Sequence, residues 1–403
     1  MRILVVNQYF HPDTSATSQL LTELCEDLAE HHDVTVVCGR PSYDPSERRD
    51  VHGFLAQDRH GRVRVFRAWS TTFPRMSMAG RLTNYATYLT SSVVGAMTAT
   101  RPDVVLTMTD PPVVAAAAAV ASAARRVPFV YVNQDVFPEV GVVLGRIRNP
   151  TLVRSLSTLN RSLRARAAAV VAIGRDMARR LVALGSDPSR IHVIPNWADG
   201  AAIRPLEEPS KLRQERGWDD RFVVMHSGNV GLSQELGTLL AAADRLRDEP
   251  DVVVAIVGEG ASKAGLRAEA ARRGLTNVEF LPYQPKEQLA DSLGAADLHV
   301  VGLRRGLAGY IVPSKVYGIL AAGRPYVAGV EREAEPALIA EDYSCGVRVE
   351  PEDPVALAAA IMGVKHEGGG TMGANGRAAL ERHFDRPIAT GAYLRLLEAV
   401  RGR

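Results

Sequence analysis

Short apolar runs and helix-spaced segments alternate along this chain, and the alternation runs through once, stops, and starts again. That pattern limits the fold more than any single motif. In the first half Arg2–Val6 reads as a continuous apolar strand, and Gln19–Ala29 has helical spacing at Leu20, Leu21, Leu24 and Leu28. Asp33–Cys38 and Val63–Ala68 read as strands, then come a helix over Arg81–Ala99, a strand Val104–Met108, a helix near Val113–Ala124 and a strand Phe129–Asn133. A helix around Thr151–Ala165, strand Ala169–Ala172, helix Arg175–Leu184 and strand Ile191–Ile194 complete the half. Gly39 to Gly61, rich in Pro, Ser, Asp and Arg, is expected to be a surface loop. Strands separated by helices in this way call for a mostly parallel sheet covered on both faces.

Asn196–Pro209, with Pro205, Pro209 and Gly200, reads as a linker. Beyond it Phe222–His226, Val252–Val257, Val278–Leu281 and Asp297–Val301 read as strands, with helices over Leu236–Leu246, Ser262–Arg273 and Lys286–Ala295 between them. Val316–Ala322 reads as a short helix stopped by Gly323 and Pro325, and Tyr326–Ala328 as a buried strand. Short elements follow at Pro336–Ala340, Gly346–Val349 and Pro354–Met362. A helix over Gly373–His383, a break at Asp385–Pro387 and an amphipathic helix Ala389–Arg401 end the chain. At 403 residues the chain exceeds one ordinary core. The expected fold class is α/β, with two doubly wound domains and a cleft between them.

Net charge is only +3, but residues 1–204 carry +7 and the remainder −4. A basic first half points to an anionic partner such as a membrane surface or a phosphorylated lipid, although chance partition gives such splits too. The stretch from Arg146 to Arg180 holds nine arginines against the single acid Asp176, with Leu152, Leu156, Leu159 and Leu163 interleaved. It reads as a membrane-facing surface or simply as the charged outer face of helices. Phe73-Pro74-Arg75-Met76-Ser77-Met78 agrees with an acceptor or membrane role. Cys25, Cys38 and Cys345 have no metal-ligand spacing and are expected to be buried thiols in a reducing compartment. The N-terminus enters a strand at once, so secretion is not expected, and the alanine-rich run Pro111–Ala124 is too short to span a bilayer.

Open α/β sheets bind ligands beyond the carboxyl ends of their strands. After the first strand comes Asn7 to Ser15, whose His11 and Thr14 suit either a cleft or a helix-capping loop. After Phe129–Val132 comes Asn133-Gln134-Asp135-Val136-Phe137-Pro138-Glu139, where a carboxylate beside an amide can position or deprotonate a hydroxyl, or cap the next helix. In the second half Ser227-Gly228-Asn229-Val230-Gly231 and Val257-Gly258-Glu259-Gly260 each follow a strand. Their glycines let backbone approach a ligand, or make plain tight turns. Pro313-Ser314-Lys315 then opens a helix, and Lys315 is one of only five lysines in the chain. Two glycine loops and a lysine at a helix start, on successive strand ends of one sheet, suit a diphosphate better than any of them alone. No Gly-x-Gly-x-x-Gly follows the first strand and no Walker loop is present, which counts against dinucleotide oxidoreductases and P-loop enzymes.

Taken together these segments resemble the GT-B glycosyltransferases of glycosyltransferase family 4, in the branch that builds bacterial cell-surface polysaccharides of the colanic-acid type. The resemblance covers nearly the whole chain. It rests on Gln134–Glu139, Ile194-Pro195-Asn196-Trp197-Ala198-Asp199, Ser227–Ser233, Gly258-Glu259-Gly260, Val312–Tyr317, Cys345-Gly346-Val347 and Glu352-Asp353-Pro354. It implies two Rossmann-like domains facing across a deep cleft: residues 1–200 binding acceptor, residues 201–385 binding a nucleotide-sugar donor, and a last helix of about 386–403 packing back on the first domain. It implies a retaining, metal-independent transfer with no cofactor, to a glycan, lipid-linked or small-molecule acceptor. Asp135 and Lys315 are the catalytic candidates. Gly228, Asn229, Gly258, Glu259, Gly260, Tyr283, Pro313 and Ser314 stand with Lys315 on the donor side, and His11, Thr14, Gln134 and Glu139 on the acceptor side. No nucleic-acid partner is expected. The location implied is cytoplasmic, with peripheral contact at the inner face of the membrane.

The chain departs from the family pattern in places. Where many members have Arg and Lys in the loop after the first strand of the second domain, this chain has Asn229 and Gln234. Tyr310 and Gly318 stand at the positions of the usual Glu-x7-Glu pair, and Gln134 where a histidine often precedes the aspartate. Lys315 is thereby left as the main candidate to neutralise the donor diphosphate. A sugar-nucleotide epimerase of the same fold and an inactive sugar-nucleotide-binding partner remain as alternatives.

Overall fold

The computed structural model describes residues 1–41, 53–71, 73, 78–109 and 113–402. Pro74, Arg75, Met76 and Ser77 of the Met- and Arg-bearing segment, the middle of the Gly39–Gly61 stretch and the first residues of the alanine-rich run lie outside them. The chain divides into two compact units, residues 1–195 with 389–403, and residues 196–388.

The first unit carries strands β1 (Arg2–Val6), β2 (Asp33–Gly39), β3 (Leu55–His60), β4 (Val63–Ala68), β5 (Val104–Met108), β6 (Phe129–Asn133), β7 (Ala169–Ala172) and β8 (Ile191–Val193). They form one sheet in the order β3-β4-β2-β1-β5-β6-β7-β8. Every pairing is parallel except β3 with β4. β3 corrects the expectation of a continuous loop from Gly39 to Gly61. Its sequence, LAQDRH, has no β-branched residue and is partly exposed throughout, as an edge strand tolerates. A short helix, Glu139–Val143, also went unread, being only five residues long.

The second unit carries β9 (Phe222–Ser227), β10 (Val252–Val257), β11 (Val278–Leu281), β12 (Leu298–Gly302), β13 (Tyr326–Gly329) and β14 (Gly346–Val349). The order is β11-β10-β9-β12-β13-β14, all parallel. Alternate residues of these strands point to opposite faces. Val224, Val252, Val254, Ile256, Leu298 and Val300 pack under the helices Leu236–Arg245 and Pro354–Glu367. Val223, Met225, Val253, Ala255 and Val257 pack against Leu212, Trp218 and Ala295 on the other side. Both faces are covered, which is why the strands read as unbroken apolar runs rather than alternating ones.

The direction of winding reverses between β9 and β12 in this sheet, and between β1 and β5 in the first. Crevices at such reversals are where open α/β sheets take their ligands.

Candidate functional site

At the reversal in the second unit, the end of β9 meets the segment that follows β12. His226, the penultimate residue of β9, is fully buried. Lys315 opens the helix Lys315–Ala321 and sends its Nζ to 2.9 Å from His226 Nε2. Seven residues make a short helix, so its dipole is small and the ammonium itself must supply the positive charge here. Ser314 caps that helix without a side-chain hydrogen bond, and Pro313 is buried at the turn before it. Burial pulls Lys315 down to about 7, and burial and the neighbouring Lys315 together pull His226 well below the ordinary histidine range.

The glycines of the two loops are needed by the loops themselves. A Cβ at Gly258 would lie 1.9 Å from the carbonyl oxygen of Gly228, and one at Gly260 would lie 2.3 Å from that of Val230. Gly228 and Gly258 also have φ of 125° and 133°, which side chains rarely adopt. The loops after β9 and β10 are pressed together and stitched: Gly228 N–H donates to Val257, Val230 to Glu259, Gly258 to Leu281 and Ser262 to Val230. Gln234 closes the first loop by accepting from Gly231 N–H, and the Asn229 side chain lies between Gly231 and Gly260. Of the two residues standing where cations were expected, Gln234 is thus a loop staple and Asn229 packs within the loops. Among the described residues the N–H groups of Asn229, Glu259 and Gly260 take no part in this stitching.

Lys263, which sequence reasoning passed over, braces the second loop from beneath. Its buried ammonium donates to the carbonyls of Gly258 (2.7 Å) and Leu281 (2.8 Å) and to the Glu259 carboxylate (2.6 Å). Glu259 is therefore held in an ion pair, with its side chain still half in solvent. The Tyr283 ring lies against Gly258, its hydroxyl donating to the Glu259 carbonyl at 3.3 Å, and it remains half-exposed. Glu331, also unanticipated, accepts from the N–H groups of Gly306 and Ala308 and shapes the loop leading to Pro313.

In the first unit the acceptor-side candidates are scattered over two strand ends. Thr109, after β5, accepts from the N–H groups of both Gln134 and Asp135, which fixes the turn after β6. Gln134 is buried with its amide toward Met108, so it turns into the sheet end. Asp135 reaches solvent. Desolvation by the surrounding protein nonetheless pushes its carboxyl up to about 6. Glu139 accepts from Ser157 on the next long helix, so it braces rather than projects. After β1, the His11 ring stacks on His60 at 4.1 Å while His60 pairs with Glu26, and the carbonyl of the exposed Thr14 accepts from the Gln19 side-chain amide. Arg67, nearly fully buried, holds this turn by bonding the His11 carbonyl and Asp58.

The arginine-rich stretch is only partly a surface. Arg164 is buried and donates to Ser186, and Leu163 is buried beside it, whereas Leu152, Leu159, Arg154 and Arg161 are exposed. Among the described residues no helix is long and apolar enough to cross a membrane.

Comparison with known proteins matches residues 16–197 to the glycosyl transferase 4-like domain and residues 209–377 to the glycosyl transferases group 1. The putative colanic acid biosynthesis glycosyl transferase WcaI of Escherichia coli (strain K12) is 29% identical over 373 residues, 90% of this chain and 91% of that protein. The probable glycosyltransferase WbjE of Pseudomonas aeruginosa is 29% identical over 72% of this chain and 73% of its own. Among solved structures, Anabaena Alr3699/HepE in complex with UDP and glucose superposes with a TM-score of 0.74 at 19% identity, over 99% of this chain and 100% of that one. WaaG, a glycosyltransferase involved in lipopolysaccharide biosynthesis, gives 0.71 at 14% identity, over 97% and 98%.

Two outcomes follow from the loop geometry. Gly258→Ala should lower stability by about 1–3 kcal/mol, because backbone rather than a flexible side chain must move, and a lower urea midpoint would register it. Lys263→Met should lower it by about 2–3 kcal/mol by stranding buried acceptors, while Lys263→Arg recovers part of the loss in the same assay.

Proposed function

Because the chain belongs to the glycosyltransferases, with a 4-like domain followed by a group 1 domain, we propose that its second unit binds a nucleotide-sugar donor through Lys315. The observation that carries this reading is an ammonium held at the strand-order reversal, over a turn whose neighbours keep N–H groups in reserve. A departing nucleoside diphosphate gains negative charge as the glycosidic bond breaks, and a cation already in place lowers the barrier to that departure. Transfer proceeds with retention and without a metal ion, to a glycan or lipid-linked acceptor in cell-surface polysaccharide assembly. WcaI, named for colanic acid biosynthesis, supports that class of acceptor, and HepE, solved with UDP and glucose, supports a diphosphate donor. A small-molecule acceptor fits the same donor chemistry.

On the first unit, Asp135 is the group we assign to face the acceptor, being an exposed carboxylate at the end of β6. Gln134, His11, Thr14 and Glu139 contribute mainly to the shape of that face. The exposed Arg146, Arg148, Arg154 and Arg161, with Leu152 and Leu159 among them, suit peripheral contact with an anionic membrane at its cytoplasmic face.

A panel of UDP-, GDP-, ADP- and dTDP-sugars tested by calorimetry should reveal a preferred donor, and Lys315→Ala should weaken it tenfold or more. With Lys315 near 7 when free and raised by the bound phosphates, binding takes up a proton above neutrality. Affinity of the native protein should therefore fall as pH rises from 7 to 9. Undiminished binding by Lys315→Ala would remove the diphosphate role, and isomerisation of the donor without acceptor would favour an epimerase.

A further inference from the structure

We propose that the first unit docks on an anionic bilayer through the edge hairpin β3–β4 and the segment after it. Phe54, Trp69 and Phe73 enter the lipid interface, and Arg59, Arg62 and Arg64 meet the headgroups. The proposal rests on the peripheral membrane contact read above and gives it an anchor outside the Arg146–Arg161 stretch.

Large aromatic side chains belong in a core, and Trp197 and Trp218 are buried in that way. Phe54, Trp69 and Phe73 are instead 50%, 37% and 51% exposed, and among the described residues no other Phe or Trp is exposed. All three stand at one place. Leu55 pairs with Ala68 at the end of the hairpin, and Trp69 N–H donates to the Phe54 carbonyl at 3.0 Å just beyond it. The chain then runs along the helix Met78–Thr98, which holds it turn by turn. The Ser91 hydroxyl donates to the Trp69 carbonyl, and Thr71 N–H donates to the Thr87 hydroxyl at 3.1 Å. Asn84 accepts from Phe73 N–H and donates to the Phe73 carbonyl, both at 3.0 Å. The exposed rings are thus carried by a backbone already fixed, which lowers the ordering cost of docking. An indole with an apolar face and a polar N–H suits the boundary between lipid and water.

The charge on this part of the chain has one sign. From Arg59 to Pro102 the sequence holds seven arginines and no Asp, Glu or Lys. Within the hairpin Arg59 stands directly opposite Arg64, and both are exposed, as is Arg62 at the turn. Like charges placed opposite each other repel unless something anionic lies over them. Asp58, the one carboxylate of the hairpin, is already paired with the nearly buried Arg67. Arg59, Arg62 and Arg64 have no carboxylate partner among the described residues. The six-residue strand β4 separates these arginines from the rings by about 20 Å, so one broad surface can meet both. A soluble anion would leave the rings in water, and a neutral glycan would leave the arginines unpaired. A bilayer with anionic headgroups answers both.

Trp69 is its own probe, because the other two tryptophans of the chain are buried. The full chain should float with vesicles of equal parts phosphatidylglycerol and phosphatidylcholine. Its tryptophan emission should shift to the blue and be quenched by brominated acyl chains, and Trp69→Phe should lose most of that quenching while still floating. Changing Phe54, Trp69 and Phe73 together to Ser should weaken partition about tenfold or more. Arg59→Gln with Arg62→Gln and Arg64→Gln should weaken it by about tenfold as well and flatten its salt dependence. The urea midpoint of each variant checks that the fold is kept, and Trp69→Ser alone, with a loss of about threefold, serves if the triple aromatic variant unfolds. Native-like partition of the folded aromatic variant, or of the arginine variant, would overturn the proposal. Partition lost only when Arg146, Arg148, Arg154 and Arg161 become Gln would overturn it too and leave the earlier membrane reading in place. Partition lost only in the hairpin variants would instead remove that earlier surface and keep this one. A native chain that ignores anionic vesicles overturns both.

Discussion

A Cβ at Gly258 would lie 1.9 Å from the Gly228 carbonyl oxygen, and the loops after β9 and β10 hold their shape because neither position has one. This contact determines most of what stands at the reversal of the second sheet. It lets Val230 and Ser262 cross-link the loops, and it sets the turn over which Lys315 lies. Parallel strands bring it about. Their carboxyl ends all emerge on one side, so the loops after the neighbouring strands β9 and β10 crowd together beside the reversal. Lys263 then anchors the crowded edge by bonding two carbonyls from different strands.

Much of the fold was legible because buried parallel strands are written as short apolar runs such as VVVAIV, with no competing pattern. β3 was not legible, since an edge strand paired on one side tolerates polar residues and LAQDRH has no β signature. The candidate site was legible in outline for a similar reason. Glycine, proline and lysine at strand ends mark where a sheet can take a ligand, and Gly228, Gly258 and Lys315 fall together. That the glycines of the two loops are needed by each other was not legible, because one sequence cannot tell a glycine needed by another loop from one needed by a ligand. His226 was passed over although a polar residue ending the apolar run FVVMH was a usable signal. Lys263 and Glu331 gave no signal of their own, as their partners are backbone groups far along the chain.

The departures from the family pattern make structural sense one residue at a time. Gln234 stands in place of a cation and closes the loop on itself, Asn229 stands in place of another and packs between Gly231 and Gly260, and Lys315 remains. An isolated buried ammonium is unfavourable unless something accepts from it. Here the imidazole of His226, held neutral by burial, lies 2.9 Å from the Lys315 ammonium. A carboxylate in that position would have neutralised the site before any donor arrived. On the proposed donor reading, concentrating the charge in one side chain ties donor affinity to the protonation of Lys315.

The central claim is that the donor's diphosphate sits against Lys315 at the β9–β12 reversal. A crystal structure of the protein with its preferred nucleoside diphosphate tests it most directly. The account expects a phosphate oxygen about 2.7–3.1 Å from Lys315 Nζ, with Asn229, Glu259 or Gly260 N–H groups donating to the same group. A diphosphate bound elsewhere, with the Lys315–His226 contact undisturbed and no phosphate near it, would contradict the account.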